Sequence, residues 1–499
     1  MTIWGVSAMS HDAALAVYDY KESGIVYASH GERYSRVKND RDLHPDQIAE
    51  ALAFGEPSHV FFYENTRRKK QRQWSAGQYK LLLKQSPSQY LKRLGINTGV
   101  TMIDHHHSHA AYGYHSDPLG RRNQDILVID SIGEFETVSV WHGRDGVLNK
   151  IWSQDYPHSI GLWYSAMTQR LGLKPQEHEY ILMGMAALGD PARFYSTIRD
   201  DFFEQIPGID GPGTYFKHNL HRGCRWWRPE LTSIQDYVDI AAAVQKIYEE
   251  ILVGLLTWMS HRSDCNTVTL VGGCALNCVA NTLAFNFYDR VWVPPNPGDA
   301  GSSVGAIAAG LNTSTPMHEA FYGTRIEGDF YPIDDILIDL EMQGISAVAA
   351  GQAEFGPRAL GHRSIFADPR ILDVKDQVNA IKQREEFRPF APIVLLEHVH
   401  EYFQVPRRNF EAPFMQFAIP CLQPQKFPGI VHVDGTSRVQ TVDEYDGDIY
   451  QLLRRWYERT GCPMLLNTSL NIKDEPLVNT LEDAQRWSDL HGLKVRISK

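Results

Sequence analysis

The chain has 499 residues, 43% of them hydrophobic and 22% charged, with a formal net charge of −11. Its length exceeds one ordinary core, so two or three domains are expected. The acidic balance argues against bulk nucleic-acid binding driven by phosphate neutralisation, and no apolar run is long enough to span a bilayer.

The N-terminus, Met1-Thr2-Ile3-Trp4-Gly5, lacks a basic leader and enters a strand pattern at once, which predicts no signal peptide. Residues 3–30 read as a strand (Ile3 to Ser7), a small polar turn, a second strand (Ala14 to Tyr18) and, after a Lys21-Glu22-Ser23-Gly24 hairpin, a third (Ile25 to Ser29). The basic run Arg67-Arg68-Lys69-Lys70-Gln71-Arg72 reads first as a solvated helix face and second as a contact for an anionic substrate.

Next comes Asp104-His105-His106-His107-Ser108-His109. On a helix, positions i and i+4 share a face, so His105 and His109 can present two nitrogens to one metal ion. Oxygen or sulfur donors must then come from elsewhere in the chain.

The strand order of residues 3–30 returns at 126–153: an apolar run ending in Asp130, a small-residue turn, a strand over Thr137 to Trp141, a Gly143-Arg144-Asp145-Gly146 turn and a strand over Val147 to Trp152. Two copies of one plan predict a duplicated α/β domain. Each copy carries an acid, Asp12 or Asp130, just after a strand end, where α/β folds bind ligands. Actin-like and sugar-kinase folds share that plan, an analogy at the level of fold only.

Apolar spacing predicts a helix over Tyr237 to Trp258. The buried strand Thr267 to Val271 then runs into Gly272-Gly273 and a helix from about Ala275, a turn through which backbone N–H groups can approach an anion or ribose. A strand over Arg290 to Val293 precedes the Pro/Gly loop 294–303, on which Asp299 is either a helix N-cap or an oxygen ligand opposite His105 and His109. Six scattered cysteines form no disulfide framework and fit a reducing cytosol. Cys274 and Cys278 read as small apolar residues by a tight turn, because no second pair has zinc-site spacing.

Residues 310–345 read as a boundary, giving domains over 1–315 and 340–499. Beyond it, Arg358, Arg363, Arg370, Lys382, Arg384 and Arg388 concentrate cations that match phosphate, against a plainer reading in which they pair with Asp368, Glu385 and Glu386. Leu465 to Asn471 is an apolar strand opening onto Asn, Thr and Ser side chains.

These motifs, in this order, resemble the NodU/CmcH-type O-carbamoyltransferases of antibiotic and nodulation-factor biosynthesis. The resemblance rests on Gly5-Val6-Ser7 with His11-Asp12, Gly31-Glu32-Arg33-Tyr34-Ser35-Arg36-Val37-Lys38, His105 to Ala110, Asp130-Ser131-Ile132-Gly133-Glu134 and Gly272-Gly273-Cys274-Ala275-Leu276-Asn277. It continues through Gly298-Asp299-Ala300-Gly301, Phe355 to Arg370, Phe387-Arg388-Pro389-Phe390, His432 to Gln440 and Asn467-Thr468-Ser469. It implies an N-terminal duplicated actin-like (ribonuclease-H-like) domain and a C-terminal YrdC-like α+β domain. The C-terminal domain would make carbamoyl adenylate from carbamoyl phosphate and ATP, and the N-terminal domain would pass the carbamoyl group to an acceptor hydroxyl.

The resemblance further implies a divalent metal, iron or a substitute such as manganese, magnesium or zinc, on His105, His109, Asp130 and Asp299. His11 is the candidate for positioning or deprotonating the acceptor, and Lys38 for stabilising the oxyanion. Gly272, Gly273 and Asn277 are candidates for adenosine. Arg358, Arg363, Lys382, Arg384, Arg388, Arg438, Asn467 and Ser469 are candidates for carbamoyl phosphate and ATP phosphates. The acceptor is expected to be a small molecule, sugar or nucleotide with a free hydroxyl, and a homodimer is compatible with the family. His107 departs from the pattern, standing where an apolar residue is usual. A threonylcarbamoyl-type transferase acting on nucleic acid, a metal-dependent hydrolase and an actin-like ATPase are the competing readings.

Overall fold

The computed structural model describes the chain except for residues 121, 122, 385–387 and 389. The fold is α/β with mixed sheets, in two compact units: residues 1–27 with 41–318, and residues 28–40 with 319–499. The short segment 28–40 groups with the C-terminal unit, a crossing that a linear division of the sequence does not contain.

The first unit contains two five-stranded sheets of the same design. Strands β1 (Thr2–Ser7), β2 (Ala14–Asp19), β3 (Gly24–His30), β4 (Pro57–Phe62) and β5 (Gly99–Met102) lie in the order β3-β2-β1-β4-β5. Here β1 is antiparallel to β2 and parallel to β4, which is parallel to β5. Strands β6 (Gln124–Ile129), β7 (Glu136–Arg144) and β8 (Val147–Asp155) begin the second sheet; a small hairpin, β9 (Phe203–Gln205) and β10 (Tyr215–Phe216), stands apart. β11 (Thr267–Val271) and β12 (Arg290–Trp292) complete the order β12-β11-β6-β7-β8. The pairing directions repeat as well: β6 is antiparallel to β7 and parallel to β11, which is parallel to β12. This is the duplicated plan of an actin-like domain.

Every residue of β1 and of β6 is buried, as expected of central strands covered on both faces. The helix His105–Ser116 packs against the helix Ser302–Leu311. Gly305 makes that crossing close, since a Cβ there would lie 2.0 Å from the Ser108 carbonyl oxygen. The long helix Ile234–Ser260 starts at a Ser233 capping box and buries its apolar side.

In the second unit β13 (Phe321–Ile326) pairs with β15 (Gly351–Glu354). Strands β14 (Ile345–Ala349), β16 (Arg363–Ala367), β17 (Ala391–Leu395), β18 (Phe417–Pro420), β19 (Thr436–Val442), β20 (Met464–Ser469) and β21 (Val495–Ile497) form a seven-stranded sheet, ordered β18-β19-β17-β20-β16-β14-β21. The helices Ile333–Gln343 and Gly447–Thr460 supply Ile336, Leu340, Leu452 and Trp456 to its core.

The units divide between residues 318 and 319, inside the expected boundary at 310–345, and the residues after the division form β13 and the helix Ile333–Gln343. The helix expected from Ala275 is instead a 3-10 turn over Gly273–Leu276 followed by one short helical turn at Cys278–Asn281. β4 and β5 carry no clean alternation and were not anticipated, yet they complete the first sheet. Among the described residues, no helix is long and apolar enough to cross a membrane.

Candidate metal centre

The helix His105–Ser116 begins under the Glu134 carboxylate, whose Oε1 accepts the His105 backbone N–H at 3.0 Å and the Asn65 N–H at 2.5 Å. A buried carboxylate there satisfies donors that a helix start leaves open and complements its positive end. The helical turn then brings His105 Nε2 and His109 Nε2 to 3.2 Å from each other. The other two imidazoles point elsewhere: His106 Nδ1 meets Ser139 Oγ at 2.8 Å, and His107 stacks on Trp141.

Asp130 follows the end of β6, and Asp299 opens the turn before the helix Ser302–Leu311. Asp299 does not cap that helix. Its Oδ1 lies 3.3 Å from His109 Nε2 and 3.5 Å from His105 Nε2. Asp130 Oδ2 lies 3.0 Å from His105 Nε2 and 4.0 Å from His109 Nε2. All four side chains are buried, and their donor atoms lie within 4.8 Å of one another.

The donor set fits a divalent cation. Nitrogen and oxygen ligands about 2.0–2.1 Å from one centre stand roughly 3.0–3.5 Å apart, which is the range of most of the separations above. The electrostatics agree. Burial alone would drive His105 toward neutrality, but Asp299 and then Asp130 outweigh it and raise its pKa to about 9. Burial would likewise raise both carboxyls, yet His105 holds Asp130 and Asp299 below the usual carboxylate range. Two buried carboxylates thus draw positive charge to the point between them.

Two family models match the chain: Carbamoyltransferase N-terminus over residues 78–308 and Carbamoyltransferase C-terminus over residues 338–497. An uncharacterized Synechocystis protein is 31% identical, over 97% of this chain and 93% of its own length. Nodulation protein NolO of Bradyrhizobium diazoefficiens is 32% identical, over 79% of this chain and 78% of its own length. The chain belongs to the carbamoyltransferase family. It is therefore a transferase. A third relative, the 3'-hydroxymethylcephem-O-carbamoyltransferase of Amycolatopsis lactamdurans, is 32% identical over 44% of this chain and 46% of its own.

In this carbamoyltransferase His11 lies beside the cluster, with Nε2 3.7 Å from Asp299 Oδ2 and Nδ1 3.0 Å from Asp12 Oδ2. Burial pulls its pKa down, but Asp299, Asp12 and Asp130 together raise it to about 10. The Gly272-Gly273 turn serves the same centre. Gly272, at φ +88°, lies so close to β6 that a Cβ would come 2.3 Å from the Ile129 carbonyl oxygen, and the Gly273 N–H donates to Asp130 Oδ1 at 3.2 Å. Asn277 exchanges two hydrogen bonds with Gln245 and caps the turn at Ala280.

The basic run at 67–72 lies on the helix Thr66–Ser75 and is not merely solvated. Arg68 pairs with Asp104, and Lys69 with Glu64 at 2.7 Å.

The remaining candidates belong to the second unit. Lys38 is among them, near enough to Lys382 to lower its pKa. Lys382 is buried. It donates to the Ser469 carbonyl oxygen, to Ser469 Oγ at 2.9 Å and to Asn471 Oδ1 at 2.6 Å. Burial first, and then Arg384, Arg388 and Lys38, push its pKa well down. Asn467 donates to the Ala359 carbonyl at 3.1 Å and to Gln440 Oε1 at 2.8 Å.

Arg384 lies over the Phe390 ring, and Arg358, Arg388 and Arg438 are half-buried. Arg370 pairs with Asp368 at 2.7 Å, as the plainer reading had it. Glu385, Glu386, Phe387 and Pro389 lie outside the described residues.

Arg363 has a different character. It is fully buried, and its guanidinium donates to the carbonyls of Ala350, Gly351, His362, Thr324 and Asn479. The donors of its two terminal nitrogens are spent on main chain, so they brace β16 rather than presenting a fork to solvent. Glu134 was quoted in a motif without a role. Its signal, an acid that reaches the N–H groups of a helix start far away in sequence, becomes visible only once the chain is folded.

Proposed function

We propose that this carbamoyltransferase is an ATP-dependent O-carbamoyltransferase with one half-reaction in each unit. In the second unit, which we read as YrdC-like, water hydrolyses carbamoyl phosphate to carbamate and inorganic phosphate, and a carbamate oxygen attacks the α-phosphorus of ATP. Pyrophosphate leaves and carbamoyl adenylate forms. In the first unit an acceptor hydroxyl attacks the carbamoyl carbon; its proton is lost and AMP leaves with the bond pair.

The observation that carries this reading is the convergence of His105, His109, Asp130 and Asp299 in a chain of this family. A divalent cation held there would supply Lewis-acid stabilisation of charge on the transferring group. His11, anchored through Nδ1 by Asp12, is placed to orient the acceptor hydroxyl. The group around Lys382 supports an anion site in the second unit. A buried ammonium facing neutral oxygens and crowded by Arg384, Arg388 and Lys38 is relieved by a bound phosphate. Lys38 is accordingly also read with the adenylate-forming group around Lys382.

The name of the Amycolatopsis relative supports a hydroxyl-bearing small molecule as acceptor. The test is formation of AMP and pyrophosphate that depends on carbamoyl phosphate, together with a mass gain of one carbamoyl group on an acceptor. Phosphate release from ATP alone would favour the ATPase reading.

A further inference from the structure

A second group of mixed donors lies at the other end of β6 from Asp130. Asp125, near the start of β6, is paired directly across the sheet with His142 on β7. Cys265, in the turn leading into β11, completes the group. His142 Nδ1 is 3.2 Å from Asp125 Oδ1 and 3.7 Å from Cys265 Sγ. The three donor atoms lie within 4.8 Å of one another; Asp125 and Cys265 are buried, and His142 is half-buried.

Two plainer readings fit poorly. In a Cys-His-Asp relay the thiol and the carboxylate meet opposite nitrogens of the imidazole, whereas here both face Nδ1. In a simple hydrogen-bond network a single Nδ1–H would be shared between the carboxylate and the thiol, one hydrogen for two acceptors with a long 3.7 Å contact to sulfur.

The spacing suits a tetrahedral ion. Bonds of about 2.3 Å to sulfur and 2.0–2.1 Å to nitrogen and oxygen place S and N roughly 3.5 Å apart, and N and O roughly 3.4 Å apart. The carboxylate is also held as a ligand would be. The buried Tyr288 hydroxyl donates to Asp125 Oδ2 at 2.9 Å, while Oδ1 faces His142.

A thiolate, an imidazole and a carboxylate form a borderline-soft set that selects zinc over magnesium or calcium. We infer that Asp125, His142 and Cys265 hold a zinc ion, with water completing four-coordination, and that the ion fastens β6 and β7 to the turn before β11. Binding releases the Cys265 thiol proton to solvent. The site is independent of the carbamoyl chemistry, since the His105 cluster has only nitrogen and oxygen donors.

Cobalt(II) titration of the full-length protein tests this. The expected result is a near-ultraviolet sulfur-to-cobalt charge-transfer band that saturates within two equivalents in the wild type and at one equivalent in His105→Ala. The band should be absent in Cys265→Ser and retained in His105→Ala. His142→Gln should weaken cobalt binding at this band at least about tenfold; this variant also decides the matter if Cys265→Ser does not fold. In a His105→Ala background zinc should raise the melting temperature, and adding Cys265→Ser should abolish that rise. No thiolate band in the wild type, or a band that persists in Cys265→Ser or is unchanged in His142→Gln, would overturn the assignment.

Discussion

His109 Nε2 lies 3.3 Å from Asp299 Oδ1, although 190 residues separate them in the chain. Two helices create this meeting: one presents His109, and the other, brought close at Gly305, carries Asp299 at its entrance. Asp299→Asn keeps the shape and removes the charge. Expected is a loss of divalent-metal affinity of at least about tenfold, measured by equilibrium titration, with the fold retained by circular dichroism. Carbamoyl phosphate-dependent formation of pyrophosphate should persist in the same variant, while AMP release coupled to carbamoyl transfer falls.

Glu134 holds two backbone donors from distant segments, Asn65 and His105. Both are accepted by Oε1, so glutamine keeps the acceptor but removes the charge that strengthens the two bonds. Glu134→Gln should therefore cost about 1.5–3 kcal/mol of stability in urea denaturation. Metal affinity should fall with it, because His105 loses its anchor; unchanged stability would mean that these hydrogen bonds are replaced by water.

Arg363 and Arg358 should separate by phenotype. Arg363→Ala leaves several buried carbonyls without donors and should lower stability by about 3 kcal/mol or more, read as the midpoint of chemical denaturation. Arg358→Ala should lower the midpoint less than Arg363→Ala does and lower adenylate formation, while sparing transfer from supplied carbamoyl adenylate. Equal loss of both half-reactions in Arg358→Ala would remove it from the donor-forming site.

Asp446 gives the second unit a pH dependence. Burial, with Asp443 and Glu319 nearby, raises its pKa from an ordinary 3.8 to about 7. The folded state thus binds the proton more tightly than the unfolded one. Its contribution to stability is greatest below the unfolded pKa and is lost as pH rises through about 7. The side chain is partly exposed, so solvent screening reduces the effect to about 1 kcal/mol. Asp446→Asn should be more stable than wild type at pH about 8 and similar at pH about 4, measured by urea denaturation at both values.

Much of the first unit was legible because its signals are local. Buried runs such as Ile126 to Ile129, a hairpin turn at 143–146 and a four-residue histidine spacing each declare a conformation over a few residues. The duplicated sheet plan followed from the order of those signals.

Other features depended on distant partners. Asp299 is equally good as a cap or a ligand until the histidine helix is packed beside it. Arg363 looks like a phosphate fork in a basic run, but burial directs its donors to carbonyls drawn from β15, β13 and the segment before the last helix. Lys38 lies in the same N-terminal stretch as His11, yet segment 28–40 groups with the other unit. Residue type alone does not encode which unit a crossing segment joins.

The central claim is that His105, His109, Asp130 and Asp299 hold one divalent cation. Manganese(II) tests it most directly, because that ion favours the nitrogen and oxygen donors of this cluster over the thiolate site at Cys265. In a titration followed by electron paramagnetic resonance, the wild type should bind one manganese tightly, and His105→Ala and Asp130→Ala should each lose it. Undiminished manganese binding in both variants would contradict the claim.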